Sequence, residues 1–96
     1  MKSSKMEGKS MKFQGAIVKE QGIEFAIVVV KRQIVQNSYQ AKKAIGTFQP
    51  VFGPIPVILM GQDSRVRATY YGRRDIVRFL AKVQITAIPW REYTIS

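Results

Sequence analysis

Arginine and tyrosine side chains are concentrated in one short stretch, residues 65–78. Guanidinium groups form paired hydrogen bonds with phosphate oxygens, and aromatic rings stack on nucleobases. This combination predicts contacts with a nucleic-acid backbone, with Tyr71 as a stacking surface. Arg65 and Tyr70 belong to the same stretch but not to the candidate set. The candidate binding residues are Arg67, Tyr71, Arg73, Arg74, Arg78 and Lys82.

Three of these cations recur along a predicted helix. Arg74, Arg78 and Lys82 are spaced four residues apart, so on an α-helix they form one ridge. A solvated helix face has the same spacing, because arginine is a good helix former and an exposed helix needs charge. No RNA-recognition, helix-turn-helix or zinc-finger pattern accompanies the stretch. The ridge therefore has two interpretations, a phosphate-binding surface and an ordinary solvated face.

Residue types that serve in catalysis are scarce. The chain contains neither histidine nor cysteine, which removes the commonest general base and all thiolate and disulfide chemistry. Asp63 and Ser64 fall in a predicted turn, where such residues hydrogen-bond the backbone, and Asp75 falls in the first turn of a predicted helix, where the dipole favours an acid. We expect a protein that is not an enzyme and uses no cofactor or metal. The other residues weighed for catalysis are Glu20, Glu24, Tyr70 and Tyr71.

Composition predicts a small basic domain. The 96 residues suit one domain, and 46% of them are hydrophobic, enough to form a core. Sixteen Lys and Arg against six Asp and Glu give a net charge of +10, which attracts anionic partners. The longest apolar runs, 25–30 and 55–60, are far shorter than the roughly 20 residues of a membrane-spanning helix. We therefore expect a cytoplasmic protein without a membrane segment.

The chain divides into an arm and one folded domain. Residues 1–12 are rich in lysine and serine and lack hydrophobic periodicity, which predicts a disordered basic arm. Residues 13–96 show alternating strand and helix patterns, with a turn at Gly22 and a helix N-cap at Asn37. The predicted elements are strands at 13–19, 23–31, 55–60, 66–71 and 84–95, the last bent at Pro89, and helices at 37–48 and 73–83.

The order ββαββαβ predicts an α/β (α+β) two-layer sandwich, with a mixed sheet of about five strands and both helices on one face. Strands 23–31, 55–60, 66–71 and 84–88 with two helices fit a ferredoxin-like order.

Alternatively, residues 55–83 resemble the C-terminal half of a thioredoxin-like domain. Ile55-Pro56-Val57 resembles the place of its cis-proline, the 61–65 turn joins an antiparallel hairpin, and Gly72 precedes the last helix. The family's Cys-x-x-Cys has no counterpart here, so the resemblance implies a fold and no redox activity.

The apolar strands suggest a second functional hypothesis. If strands 23–31 and 55–60 are apolar on both faces, two helices on one face leave the other bare. That face would meet a second copy, another protein, or the terminal segment with Trp90 and Tyr93. The alternatives are thus a non-enzymatic module that binds nucleic acid or another anionic partner, and a homo-oligomeric domain (such as a homodimer) or protein-interaction domain whose basic surface is incidental. Cations that converge on one face favour the first, and an uncovered apolar face favours the second.

Overall fold

The computed structural model describes residues 11–20, 22–62 and 67–95. Five strands form a mixed sheet, which confirms the predicted α+β fold and the approximate order of its elements. No helix in these ranges is long and apolar enough to cross a membrane. The elements are β1 Met11–Glu20, β2 Ile23–Val30, α1 Arg32–Val35, α2 Ser38–Phe52, β3 Val57–Gln62, β4 Ala68–Tyr71, α3 Arg74–Leu80, a 3₁₀ turn Ile85–Ala87, and β5 Arg91–Ile95.

The strands are ordered β4-β3-β2-β1-β5, so β4 and β5 form the two edges. Strands β2 and β3 pair in parallel near the centre, and the other neighbours pair antiparallel. A ferredoxin-like order would place another strand between the two that the α1–α2 crossover joins, whereas here these two are direct neighbours. The described residues contain no cis peptide bond, so Pro56 lacks the cis geometry that the thioredoxin-like resemblance implied.

The two longer helices cover opposite faces of the sheet. Helix α2 packs Ala41 and Phe48 on one face, and α3 packs Ile76 and Leu80 on the other. The expectation that both helices lie on one face is therefore wrong. Successive strand residues point to opposite faces, and β2 and β3 are apolar at nearly every position, so each face needs its own cover. The α2 side holds Ala26, Val28, Val57 and Leu59, and the α3 side holds Phe25, Ile27, Ile58 and Met60.

Helix α2 begins as predicted and ends later. The Asn37 side chain accepts a hydrogen bond from the Gln40 backbone N–H at 3.0 Å, which satisfies one of the free donors of the first turn. The helix continues to Phe52 and ends at Gly53, whose φ of 76° suits glycine. The predicted end at residue 48 is therefore one turn short.

The ends of the chain differ from the predicted elements. Strand β1 begins at Met11, inside the predicted arm, and the other arm residues, 1–10, lie outside the described residues. The predicted last strand is a 3₁₀ turn followed by β5, with Pro89 between them. The Trp90 indole N–H donates to the Ile85 carbonyl oxygen at 2.9 Å and ties this turn to the start of the edge strand.

Candidate nucleic-acid interface

Strand β4 and helix α3 together form one margin of the molecule. Strand β4 is an edge of the sheet, and α3 begins three residues after β4 ends. Gly72 lies in this connection, and a Cβ atom there would collide with the Ile58 side chain. Because glycine has no Cβ, the chain can turn close to β3 and return along β4 as α3. The predicted binding residues that the structure describes lie on or beside these two elements.

Arg74 and Arg78 line a groove between α3 and the edge strand, which we call the lower groove. Its volume is about 410 Å³, and Tyr70, Tyr71 and Val77 complete the wall. Both arginines are exposed, and among the described residues neither has an ion-pair partner. The lower groove thus carries two positive charges that a bound anion can neutralise.

A second groove, which we call the upper groove, lies farther along β4. Its volume is about 540 Å³, and it runs between Arg67 and Ala68 on β4's side and the chain that follows α3, including Gln84 and Thr86. Tyr70 lines both grooves. Arg67, Arg74 and Arg78 are therefore arranged around Tyr70, although eleven sequence positions separate the first from the last.

The two tyrosines of β4 face opposite sides of the sheet. Tyr70 packs with the α3-side cluster and Tyr71 with the α2-side cluster. Tyr71, the predicted stacking residue, is half-buried, so part of its ring is occupied by core contacts. Tyr70 was not among the predicted binding residues. Alternation along β4 places Ala68 and Tyr70 on one side of the sheet and Thr69 and Tyr71 on the other. Tyr70 could be identified from this pattern only if the side of the sheet that α3 covers were known.

The Tyr70 hydroxyl is buried without a hydrogen-bond partner among the described residues. Burial favours the neutral phenol and raises the pKa of Tyr70 above its ordinary value of 10.0. The hydroxyl therefore makes no hydrogen bond to the part of the chain that the structure describes. What Tyr70 contributes to the grooves is ring surface.

Arg73 differs from its neighbours because its charge is already engaged. Its Nε and one terminal nitrogen donate to the two carboxylate oxygens of Asp75 at 2.9 and 2.8 Å, an exposed paired contact. This hydrogen bonding holds the pKa of Asp75 below its ordinary value of 3.8. This paired contact gives Asp75, in the first turn of α3, a structural role. It also leaves Arg73 less available to an anion than Arg74 or Arg78.

Lys82 lies beyond the end of α3. The helix ends at Leu80, and the Lys82 and Val83 backbone N–H groups donate to carbonyls three residues back, each at 3.0 Å. The chain turns here because Val83 and Ile85 pack on the α3-side cluster. The prediction that Lys82 continues a helical ridge with Arg74 and Arg78 is therefore wrong, and Lys82 is an exposed turn residue.

The carboxylates that the structure describes are not grouped as metal ligands. Glu20 and Asp75 line one cleft of about 110 Å³ beside Phe25 and Phe79, but Asp75 is already paired with Arg73. Within the described ranges, no three His, Cys, Asp or Glu side chains are grouped as metal ligands. Asp63, Ser64 and Arg65 lie outside the described residues.

Comparison with protein-family models, curated protein sequences and solved structures finds no match for this chain.

Proposed function

We propose that this domain binds nucleic acid through its phosphate backbone along the margin formed by β4 and α3. The observation that carries the proposal is the convergence of Arg67, Arg74 and Arg78 around Tyr70, which lines both grooves. Phosphate contacts from arginine position a nucleic acid without reading its sequence. The proposed role is therefore backbone binding, which does not require base recognition.

The pattern of ion pairing supports binding over a merely solvated helix face. Helix α3 pairs its one acidic residue, Asp75, with Arg73, while Arg74 and Arg78 are left without an acidic partner among the described residues. Both unpaired arginines line the same groove. A concave surface with unneutralised charge attracts anions more strongly than a flat one.

The protein-interaction hypothesis has less support from the structure. It depended on a bare apolar sheet face, and within the described residues both faces carry a helix and a buried cluster. The large hydrophobic side chains that remain exposed in those residues are divided between two elements, β1 and α2. They are Met11 and Ile17 on β1, and Tyr39 and Val51 on α2.

The test is fluorescence anisotropy of labelled single-stranded and duplex DNA and RNA, at low salt and at about 150 mM salt. Arg74→Glu with Arg78→Glu should weaken binding at least tenfold at about 150 mM salt, because the loss of two phosphate contacts to a single strand accounts for about tenfold. The slope of log K against log salt concentration should become shallower by about 1.4. Lys42→Glu with Lys43→Glu is the matched control, because these exposed lysines lie on α2, on the other side of the sheet, and the charge change is the same.

A chain without residues 1–10 completes the design. Its loss of affinity should be smaller than that of the Arg74 and Arg78 double variant. Equal losses in the two arginine and lysine double variants would mean that overall charge, not a site, holds the nucleic acid. Binding by the unmodified protein that disappears at about 150 mM salt for every nucleic acid alike would contradict the proposal.

A further inference from the structure

A second set of cations lies at the end of the sheet next to the upper groove. Gln62 pairs with Ala68 across β3 and β4, and Val30 pairs with Gly61 across β2 and β3. Arg67, which precedes Ala68, and Lys31, which follows Val30, therefore lie at the same end of the sheet. Lys12 lies there too. Gly15 of β1 pairs with Val28 of the antiparallel β2, and Lys12 is three residues before Gly15 while Lys31 is three residues after Val28.

These lysines lie on the α3 side of the sheet. Lys31 has extended backbone, with φ −63° and ψ 141°, and so continues the alternation of β2, in which Ile27 packs on the α3 side. Lys12 shares its side of β1 with Ala16, which is in the same cluster. Both lysines are exposed. They extend the positive surface of the upper groove across the end of the sheet.

Most acidic residues of the described chain lie elsewhere. Glu20 and Glu24 flank the β1–β2 turn, and Asp75 lies near Glu20 in a shared cleft. These three are at the opposite end of the sheet from Lys12 and Lys31. Glu92 pairs with Gln14 on β1, two positions from Lys12, and is the remaining acid of the described ranges. Counted over the described residues, the end of the sheet near Arg67 is therefore predominantly basic.

The two parts of this positive surface meet at a bend. The grooves run along β4, whereas the row from Arg67 to Lys12 crosses from β4 to β1, over three strand spacings or about 14 Å. Strands and the hydrogen-bonding direction across them are perpendicular. A chain that follows both parts must turn through about a right angle within a few nucleotides. Duplex DNA is stiff over about 150 base pairs, whereas a single strand can make this turn.

We infer that the nucleic-acid site continues over the end of the sheet to Lys31 and Lys12, and that it selects single-stranded nucleic acid over duplex. This inference rests on the proposed function, because it extends the same site. The grooves along β4 hold one segment of the strand, and the lysines hold the next segment beyond the bend. The length of the bound single-stranded nucleic acid therefore determines how much of the site it contacts.

The test compares single strands of about six and about eighteen nucleotides with a duplex of about eighteen base pairs, lengths within and beyond typical single-domain site sizes. Lys12→Glu with Lys31→Glu should weaken the long strand about tenfold at about 150 mM salt and change the short strand less than threefold. Arg74→Glu with Arg78→Glu should weaken both strands, and the duplex should bind more weakly than the long strand. Circular dichroism shows whether each variant is folded. If the Lys12→Glu, Lys31→Glu variant does not fold, Lys12→Gln with Lys31→Gln takes its place.

The outcomes separate the two proposals. In one outcome, the short single strand binds through Arg74 and Arg78, but the Lys12 and Lys31 variant loses no more affinity for the long single strand than the Lys42 and Lys43 control does. In that case the extension is wrong and the proposed function stands. A duplex that binds as tightly as the long strand, with the same dependence on Lys12 and Lys31, also overturns the extension. If no strand shows dependence on Arg74 and Arg78, both proposals fail.

Discussion

Replacing Tyr70 with phenylalanine is expected to stabilise the protein. The hydroxyl is buried and has no hydrogen-bond partner among the described residues. Burying such a group without a partner costs about 1–3 kcal/mol. Since Tyr70→Phe removes the oxygen and keeps the ring, it should raise the free energy of unfolding by about 1 kcal/mol. For a domain of this size that gain corresponds to a rise in Tm of about 4–8 °C.

The measurement is thermal and urea unfolding of the variant beside Tyr39→Phe. Tyr39 is 73% exposed, so the control should change stability by less than about 0.5 kcal/mol. A Tyr70→Phe protein that is less stable than the unmodified chain by about 1 kcal/mol would refute the reasoning, because it would show that the hydroxyl is hydrogen-bonded in solution.

The same variant should change the pH dependence at alkaline pH. Burial raises the pKa of Tyr70 above 10.0, so the unfolded chain loses this proton at a lower pH than the folded chain does. The contribution of Tyr70 to stability is therefore complete below about pH 10 and is lost as pH rises through the folded pKa. Tyr70→Phe should lack this part of the alkaline loss, and an unchanged alkaline profile would contradict the assignment.

Two further predictions test the elements that position the site. Gly61→Ala should lower the free energy of unfolding by about 1–3 kcal/mol, because the new Cβ would lie 2.8 Å from the Arg32 Cα and α1 would have to move. Gly46→Ala, on α2 with nothing within 4 Å of an added Cβ, is the control and should stabilise by about 0.5–1 kcal/mol in urea unfolding. Arg73→Ala should raise the pKa of Asp75 toward 3.8, and NMR titration of the Asp75 carboxyl carbon measures the change. An unchanged pKa would mean that the Arg73–Asp75 contact is absent in solution.

Local patterns in the sequence determined much of the fold. The continuous apolar runs of β2 and β3 predicted strands buried on both faces, because only a covered strand can be apolar at successive positions. Gly22 predicted the β1–β2 turn and has a φ of 81°, and Asn37 predicted the N-cap of α2. Each of these features depends on residues close together in the chain, so a short segment contains the physical cause.

Other features depended on contacts between distant segments. The sequence could not show that α3 lies opposite α2, since an amphipathic helix fits either face of a sheet that is apolar on both. It overestimated the length of α3, because the burial of Val83 and Ile85 turns the chain after Leu80. It also favoured Tyr71 over Tyr70, because the side of β4 that α3 covers is a property of the whole sheet.

The candidate site shows the same division. The abundance of arginine from residue 65 to 78 and the net charge of +10 belong to the sequence, and they predicted an anionic partner. The grouping of Arg67 with Lys31 and Lys12 belongs to the tertiary structure, because strand pairing alone brings these separate segments to one end of the sheet. Charge is carried by single residues, whereas the path that an anion follows depends on the register and order of the strands.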